Sequence, residues 1–385
     1  MKKVWIVFAS LLILMSCTEK KENIENKKVT QIEETEKKDD IRDVSFLAVG
    51  DNLIHEAIYY YNAIGDGKYD FKDIYEHTNA YTRDADIAYI NQETICGGTE
   101  LGLSHYPSFN GPYEVLDAVA DAGFDWMAAS SNHTMDAGIQ GIENQLNYMN
   151  KHYPDITVTG SHLTKEDAEQ PQIINRNGVR FGVLGYTYGL NGYTLPEGKE
   201  YMVDLIDKDK IAQDVEKLKK VSDIQLVSMH WGVEYSFEPS EEQKELAQYL
   251  SDLGVDVIIG EHPHVIQPMD YVTGKEGNQT LVIYSLGNFL SAQDEHERML
   301  GGMARWTISY NKTTDAVQFK NVEFLPTITQ IEGNFSYFRT YALKDYTNEL
   351  AARHMLSVQK GQDMTREYFI QLVNKVMNDK VDIVY

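Results

Sequence analysis

The chain has 385 residues, 42% of them apolar and 24% charged, an ordinary globular composition with enough length to bury a sizeable core in one large domain or two smaller ones. Acidic residues outnumber basic ones 59 to 35, giving a net charge of −24. That balance suits a soluble surface and speaks against a nucleic-acid partner, which would call for a basic stripe.

Residues 1–17 read as a targeting segment outside the fold. Lys2 and Lys3 form a positive n-region, and Val4–Leu14 is an apolar stretch too short for a membrane span. L-M-S-C then closes the segment at Cys17 and resembles a bacterial lipobox. It implies cleavage after Ser16, membrane lipid on Cys17, and an exported protein anchored at the outer face of the bacterial cell membrane. Cys96 is the only other cysteine, so no intrachain disulfide is expected, and its side chain should pack as a small apolar group. Thr18–Asp43 is almost wholly Lys, Glu, Asp, Asn, Gln and Thr. It reads as a disordered tether, with a solvated helix of alternating charge as the competing reading.

The fold is expected to begin at Val44. V-S-F-L-A-V-G runs into Asp51, with His55 four residues on. Asp86–Ile90 runs into Asn91-Gln92-Glu93, and Phe124–Ser130 leads to Ser131, Asn132 and His133. Ile224–Met229 ends in His230-Trp231-Gly232. Gly254–Val265 carries a β-branched apolar run between glycines, the pattern of a strand buried on both faces, and ends in His262 and His264. Pro263 biases His262 towards extended backbone, and a spacing of two then puts both imidazoles on one face. Leu281–Phe289 is the last such run.

Amphipathic helices lie between these strands. Ile139, Ile142, Leu146 and Met149 share one face; Ser240-x-x-Gln243 reads as a capping box opening a helix that Gly254 stops. Alternating strands and helices predict an α/β fold with a mostly parallel sheet, whose ligands gather at the carboxyl ends of strands. Beyond Phe289, Arg305–Tyr310 and Ala316–Phe324 read as a hairpin, and two helices follow from Asp345. The expected division is a main domain over 44–335 and a helical extension over 336–385.

Asp51, Glu93 and Asn132, with up to five imidazoles (His55, His133, His230, His262 and His264), all fall at predicted strand ends. Mixed nitrogen and oxygen donors without thiolates suit Mn, Fe or Zn. So many donors are redundant for one ion, whereas two ions bridged by a carboxylate would use them, and such pairs serve phosphoester hydrolysis.

These residues carry a resemblance. A-V-G-D-N-L-I-H (Ala48–His55), N-Q-E (Asn91–Glu93), Y-P-S-F-N-G-P (Tyr106–Pro112), S-N-H-T-M-D-A-G (Ser131–Gly138), H-W-G-V-E-Y (His230–Tyr235), G-E-H-P-H-V (Gly260–Val265) and Y-S-L-G-N-F (Tyr284–Phe289) stand in the order of the capsule-synthesis CapA family. The chain resembles that family of poly-γ-glutamate biosynthesis proteins, which is similar in fold to calcineurin-like metallophosphoesterases. The resemblance implies a four-layer α/β/β/α sandwich with one or two divalent metal ions. Asp51, His230 and His264 would hold one metal, Asn132 and His262 the other, with Glu93 as the bridge. His133 would be the acid that protonates the leaving group, and His55 a further metal or substrate contact. Asp136 would orient His133 or cap the following helix, the cap being favoured.

The sequence departs from the phosphoesterase pattern in places. His55 lies four residues after Asp51 rather than two, Glu93 stands where Asp is usual, Ser131 replaces an Asn, and Glu261 stands where a small or basic residue is commoner. Tyr106, Trp231, Glu234, Tyr235 and Asn288 are candidate pocket residues; the loop around Tyr106 is expected to pack rather than line the rim, and Asn288 to act as a structural amide. Three functions follow: a lipid-anchored hydrolase-like protein acting on a phosphoester or an anionic capsule polymer, a non-enzymatic polymer-binding or scaffold subunit of a membrane synthase, or a free-standing phosphoesterase on nucleotides or phosphosugars.

Overall fold

A computed structural model describes residues 39–385; the targeting segment, Cys17 and residues 18–38 of the expected tether lie outside the described residues. The first strand, β1 (Ile41–Asn52), starts before Val44. Ile41–Asp43 are exposed but pair antiparallel with Asn311–Ser309, because main-chain pairing needs no apolar side chain.

A short ribbon, β2 (Ala63–Gly65) and β3 (Lys68–Tyr69), precedes β4 (Ile87–Asn91), β5 (Trp126–Ala128) and β6 (Thr157–Thr159). Next come β7 (Gln172–Arg176), β8 (Val179–Thr187), β9 (Ile224–His230), β10 (Val257–Glu261), β11 (Ile266–Thr273), β12 (Gln279–Leu286) and β13 (Asn288–Leu290). The last are β14 (Leu300–Asn311), β15 (Ala316–Glu332), β16 (Tyr337–Ala342) and β17 (Asp382–Ile383).

They form two large sheets. The first has the order β16-β15-β14-β1-β4-β5-β6, with β13 added to β1 and β17 to β15; the second has the order β11-β12-β10-β9-β8-β7. β1, β4, β5 and β6 run parallel in one, and β8, β9, β10 and β12 in the other. The sheets face each other across an apolar interior: Phe46 of β1 meets Phe181 of β8 edge-on at 5.1 Å, and Tyr89 Oη lies 2.6 Å from Ser228 Oγ. Helices 208–219 and 241–252 cover the outer face of the second sheet, where Ile211, Val215, Leu246 and Leu250 pack on Val227, Ile258 and Val282. Helix 114–122 buries Val115, Leu116 and Val119, and helix 138–152 buries Ile142 and Leu146 beside Ile95. The result is the four-layer α/β/β/α sandwich, with its main core between the sheets.

Local signals held where chemistry was local. Ser240 and Gln243 form the expected capping box, and Gly254 follows that helix at φ 85°. The hairpin β7–β8 is absent from the sequence reading. Its signal is Asn177-Gly178, both at positive φ, the dipeptide that favours a two-residue turn. The C-terminal extension is not wholly helical: β16 covers the outer edge of β15, which a helix would leave unpaired, and three short helices follow rather than two. Among the described residues no helix is long and apolar enough to cross a membrane.

Candidate metal centre

The carboxyl ends of β1, β4, β5, β9 and β10 converge, and all six expected ligands are buried there. Asp51 owes its direction to an irregularity. Pairing passes from Val49↔Ile90 to Asp51↔Asn91, so Gly50 is an extra residue in β1. Only glycine fits at that bulge, since a Cβ would lie 1.9 Å from the Gly287 carbonyl. Asn91 Nδ2 then donates to Asp51 Oδ1 at 2.7 Å, a support the sequence reading did not identify.

His264 Nδ1 stands 3.1 Å from Asp51 Oδ2, and its Nε2 3.6 Å from Glu93 Oε1. His230 Nε2 lies 2.9 Å from Asn132 Oδ1 and 3.8 Å from Glu93 Oε1. Donor atoms of Asp51, Glu93 and His264 fall within 4.8 Å of one another, as do those of Glu93, His230 and His262. Glu93 belongs to both groups. The grouping differs from the split that the resemblance implies: His230 stands with His262 and Asn132, leaving Asp51 with His264. Register decides this, since β9 and β10 are direct neighbours with Glu261 opposite His230.

The histidine loop also differs from expectation. β10 ends at Glu261, and His262 and His264 have φ of 98° and 57°, a region non-glycine residues rarely occupy. They are therefore not alternating positions of an extended strand. Tyr235 N–H donating to the Pro263 carbonyl at 2.7 Å pins the loop, and the two rings still converge to 5.8 Å between centroids.

Both Glu93 carboxylate oxygens and His262 Nδ1 are buried without a hydrogen-bond partner. Buried charges persist when paired or bound to a metal, so these donor atoms fit a divalent cation. Burial pushes the His262 imidazole down to about 3 and holds His230 well below its ordinary range, keeping both neutral as ligands must be. For His264 burial acts downward too, but the carboxylates of Glu93 and Asp51 outweigh it and hold the ring up to about 9. A metal must displace that proton. Affinity for Mn2+ is therefore expected to rise with pH by up to about tenfold per unit until His264 deprotonates near 9. Calorimetric titration across neutral to alkaline pH checks this; a flat affinity would contradict it.

His133 and Asp136 stand beside the ligands. His133 Nδ1 is 2.6 Å from Asp136 Oδ2, which also accepts from Phe109 N–H at 2.7 Å. Helix 138–152 begins after Ala137 with no side-chain cap, so Asp136 orients the ring rather than capping the helix. Phe109 meets the His133 ring edge-on at 4.7 Å.

The remaining expectations divide. His55 is outside the ligand groups: Ala292 N–H donates to its Nδ1 at 3.2 Å, and burial pushes it down to about 4. It does line the cleft in front of the centre, with Tyr106, Glu234 and Tyr235. Tyr106 is 70% exposed at that rim whereas Phe109 of the same loop packs, so the loop does both jobs. Glu234 brings an exposed carboxylate within 4.8 Å of His262 and His264. Trp231 is no pocket residue; it is buried on the outer face of the second sheet and donates to the Tyr284 carbonyl at 3.0 Å. Asn288 is a buried amide 3.1 Å from His264 Nδ1. Cys96 is buried. One site neighbour, Tyr188, escapes the sequence reading, and Glu261 enters it only as a departure from the pattern. Tyr188, past the unrecognised β8, sets its ring 4.6 Å from that of His262. Glu261 is fully buried with both oxygens unpartnered, and burial, reinforced by Asp51, raises its carboxyl well above the usual range.

Fold and site together define an α/β sandwich with a histidine–carboxylate centre at its strand ends. Residues 45–293 match the family model described as bacterial capsule synthesis protein PGA_cap, and the chain belongs to that family. It is 33% identical over 182 residues to the PGA biosynthesis protein CapA of Bacillus subtilis (strain 168), covering 47% of this chain and 46% of that protein. It is 30% identical over 184 residues to the capsule biosynthesis protein CapA of Bacillus anthracis, covering 47% and 43%. The matched region thus spans less than half the length of either relative. Among solved structures it is similar to a novel phosphatase from Mycoplasma pneumoniae, with TM-score 0.44, 14% identity and coverage of 75% of this chain and 94% of that one. It is also similar to the NAD nucleotidase of Haemophilus influenzae, with TM-score 0.45, 13% identity and coverage of 87% and 60%.

Proposed function

We propose that the chain is a metal-dependent phosphoester hydrolase that serves capsule assembly at the outer face of the cell membrane. The observation that carries this reading is Glu93, whose carboxylate belongs to two ligand groups at once and has no other partner. Asp51 and His264 would hold one divalent ion and His230, His262 and Asn132 the other, with Glu93 between them. Such a pair activates water and neutralises charge on a phosphoester. The chain's own residues supply the rest. His133 lines the cleft with Nδ1 engaged by Asp136, and its other nitrogen would deliver a proton to the leaving oxygen. Tyr106 and Tyr235 form the rim against which the substrate rests.

Elemental analysis of the purified protein, followed by turnover of an aryl phosphoester with Mn2+, Fe2+ or Zn2+, tests this reading. One or two bound ions and metal-dependent release of the aryl alcohol are expected. Bound metal without turnover of any phosphoester would favour a polymer-binding or scaffold role in a membrane synthase.

The lipid anchor belongs to the same proposal and is supported by L-M-S-C after the apolar segment. Cys17→Ala should leave the precursor uncleaved or release the protein from the membrane fraction. Unchanged processing and fractionation would end that part of the reading.

A further inference from the structure

Arg298 lies in the 3-10 turn His296–Met299 that leads into β14. Its neighbours in sequence are acidic, yet none of them pairs with it. Asp294 Oδ2 pairs with Lys360 Nζ at 2.5 Å, Glu295 accepts from Gln362 Nε2 at 2.8 Å, and Glu297 sits 3.8 Å from His296. Among the described residues no carboxylate oxygen lies within 4.0 Å of the Arg298 guanidinium. The group instead lies over the Tyr235 ring, 3.7 Å from its centroid, where the ring's π-face attracts the charge without neutralising it.

That placement is tied to the metal ligands. The Tyr235 ring is 6.0 Å from the ring of His264, so these two short steps bound the distance from guanidinium to ligand. Asn288 fastens the segment: its Oδ1 meets His264 Nδ1 at 3.1 Å, and its Nδ2 donates to the Arg298 carbonyl at 3.0 Å and to Gln293 Oε1 at 2.9 Å. Arg298 shares the cleft with His133, His264 and Glu234, and is the one lysine or arginine among its lining residues. Asp294, also in that lining, is already paired with Lys360. A chain of net charge −24 repels polyanions at long range, so contact with one requires a local cation of this kind.

We propose that Arg298 forms an anion subsite beside the metal centre. Its guanidinium fork grips a carboxylate or phosphate of the substrate next to the group held at the metal ligands, so the substrate class is polyanionic. This deepens the phosphoester reading and rests on it for the reaction, though not for binding at Arg298.

The test is equilibrium binding to the full chain, with and without Mn2+, of two probes: a short oligoglutamate and a sugar bisphosphate. Arg298→Gln keeps most of the bulk over Tyr235 but loses the charge, and Arg298→Lys keeps the charge but loses the fork. Gln is expected to weaken binding roughly tenfold to a hundredfold and Lys to fall between, with metal content and melting temperature unchanged. A loss seen only with oligoglutamate identifies the anion as carboxylate, and one seen only with the bisphosphate identifies it as phosphate. Unchanged affinity of both variants for both probes, or a parent that binds neither, overturns the proposal. Failure of the parent to turn over aryl phosphoesters is a separate result that removes the hydrolase reading and leaves the binding measurement standing.

Discussion

Replacing His133 with asparagine is expected to slow turnover of an alkyl phosphoester by roughly a hundred- to ten-thousandfold, the range of a positioned general acid. Asp136 and the edge of Phe109 hold the ring, so the substitution removes a proton donor without opening the core. Metal content and melting temperature should therefore stay with the parent. The loss should be smaller for a nitrophenyl ester, whose leaving group needs no proton, and this contrast separates acid catalysis from a packing role. Equal losses for both esters would show that His133 positions substrate rather than protonates it. Asp136→Asn should give a milder version of the same contrast, because the ring remains but its orientation and tautomer are less firmly set.

Glu93→Gln is expected to empty both metal positions, since one carboxylate serves both ligand groups. Loss of a partner one step removed from a metal already lowers affinity roughly 10- to 100-fold, and loss of a shared ligand should exceed that. The effect on stability should change sign with metal. Burial raises the Glu93 carboxyl well above its unfolded value of 4.5, with the His264 imidazolium acting against it. The stability contributed by that group is full below the unfolded value and is lost as pH rises through the raised one. In chelator at neutral to alkaline pH, Gln should match or raise the melting temperature, with the His264 imidazolium offsetting part of the parent's deficit. With Mn2+ the order reverses, because the parent gains about 2.7 kcal/mol at a hundredfold excess of ion over its Kd and the variant does not. Melting curves with and without Mn2+ at two pH values check both halves. A parent whose melting temperature ignores Mn2+ would contradict the assignment of Glu93.

The strand ends carrying Asp51, Glu93, Asn132, His230, His262 and His264 are legible in the sequence because apolar β-branched runs, glycine stops and the polar residues that follow them are local signals. In a parallel α/β sheet those signals also say where the polar residues gather. The capping box at Ser240 and the stop at Gly254 are legible for the same reason: each depends on residues within one turn. What the sequence alone could not determine is which of these side chains meet. Grouping His230 with His262, rather than with Asp51, follows from the pairing of β9 with β10. The direction of Asp51 follows from one extra residue at Gly50. Asp136 reads as a helix cap until the packing of Phe109 brings its carboxylate onto His133. Arg298 stands in a run of acidic residues with no local signal to single it out; only the fold shows that Lys360 and Gln362, from a distant helix and the turn after it, engage Asp294 and Glu295. Periodicity and capping are properties of a few consecutive residues, whereas register, bulges and ion-pair partners are set by segments far apart in the chain, so only the folded structure could decide them.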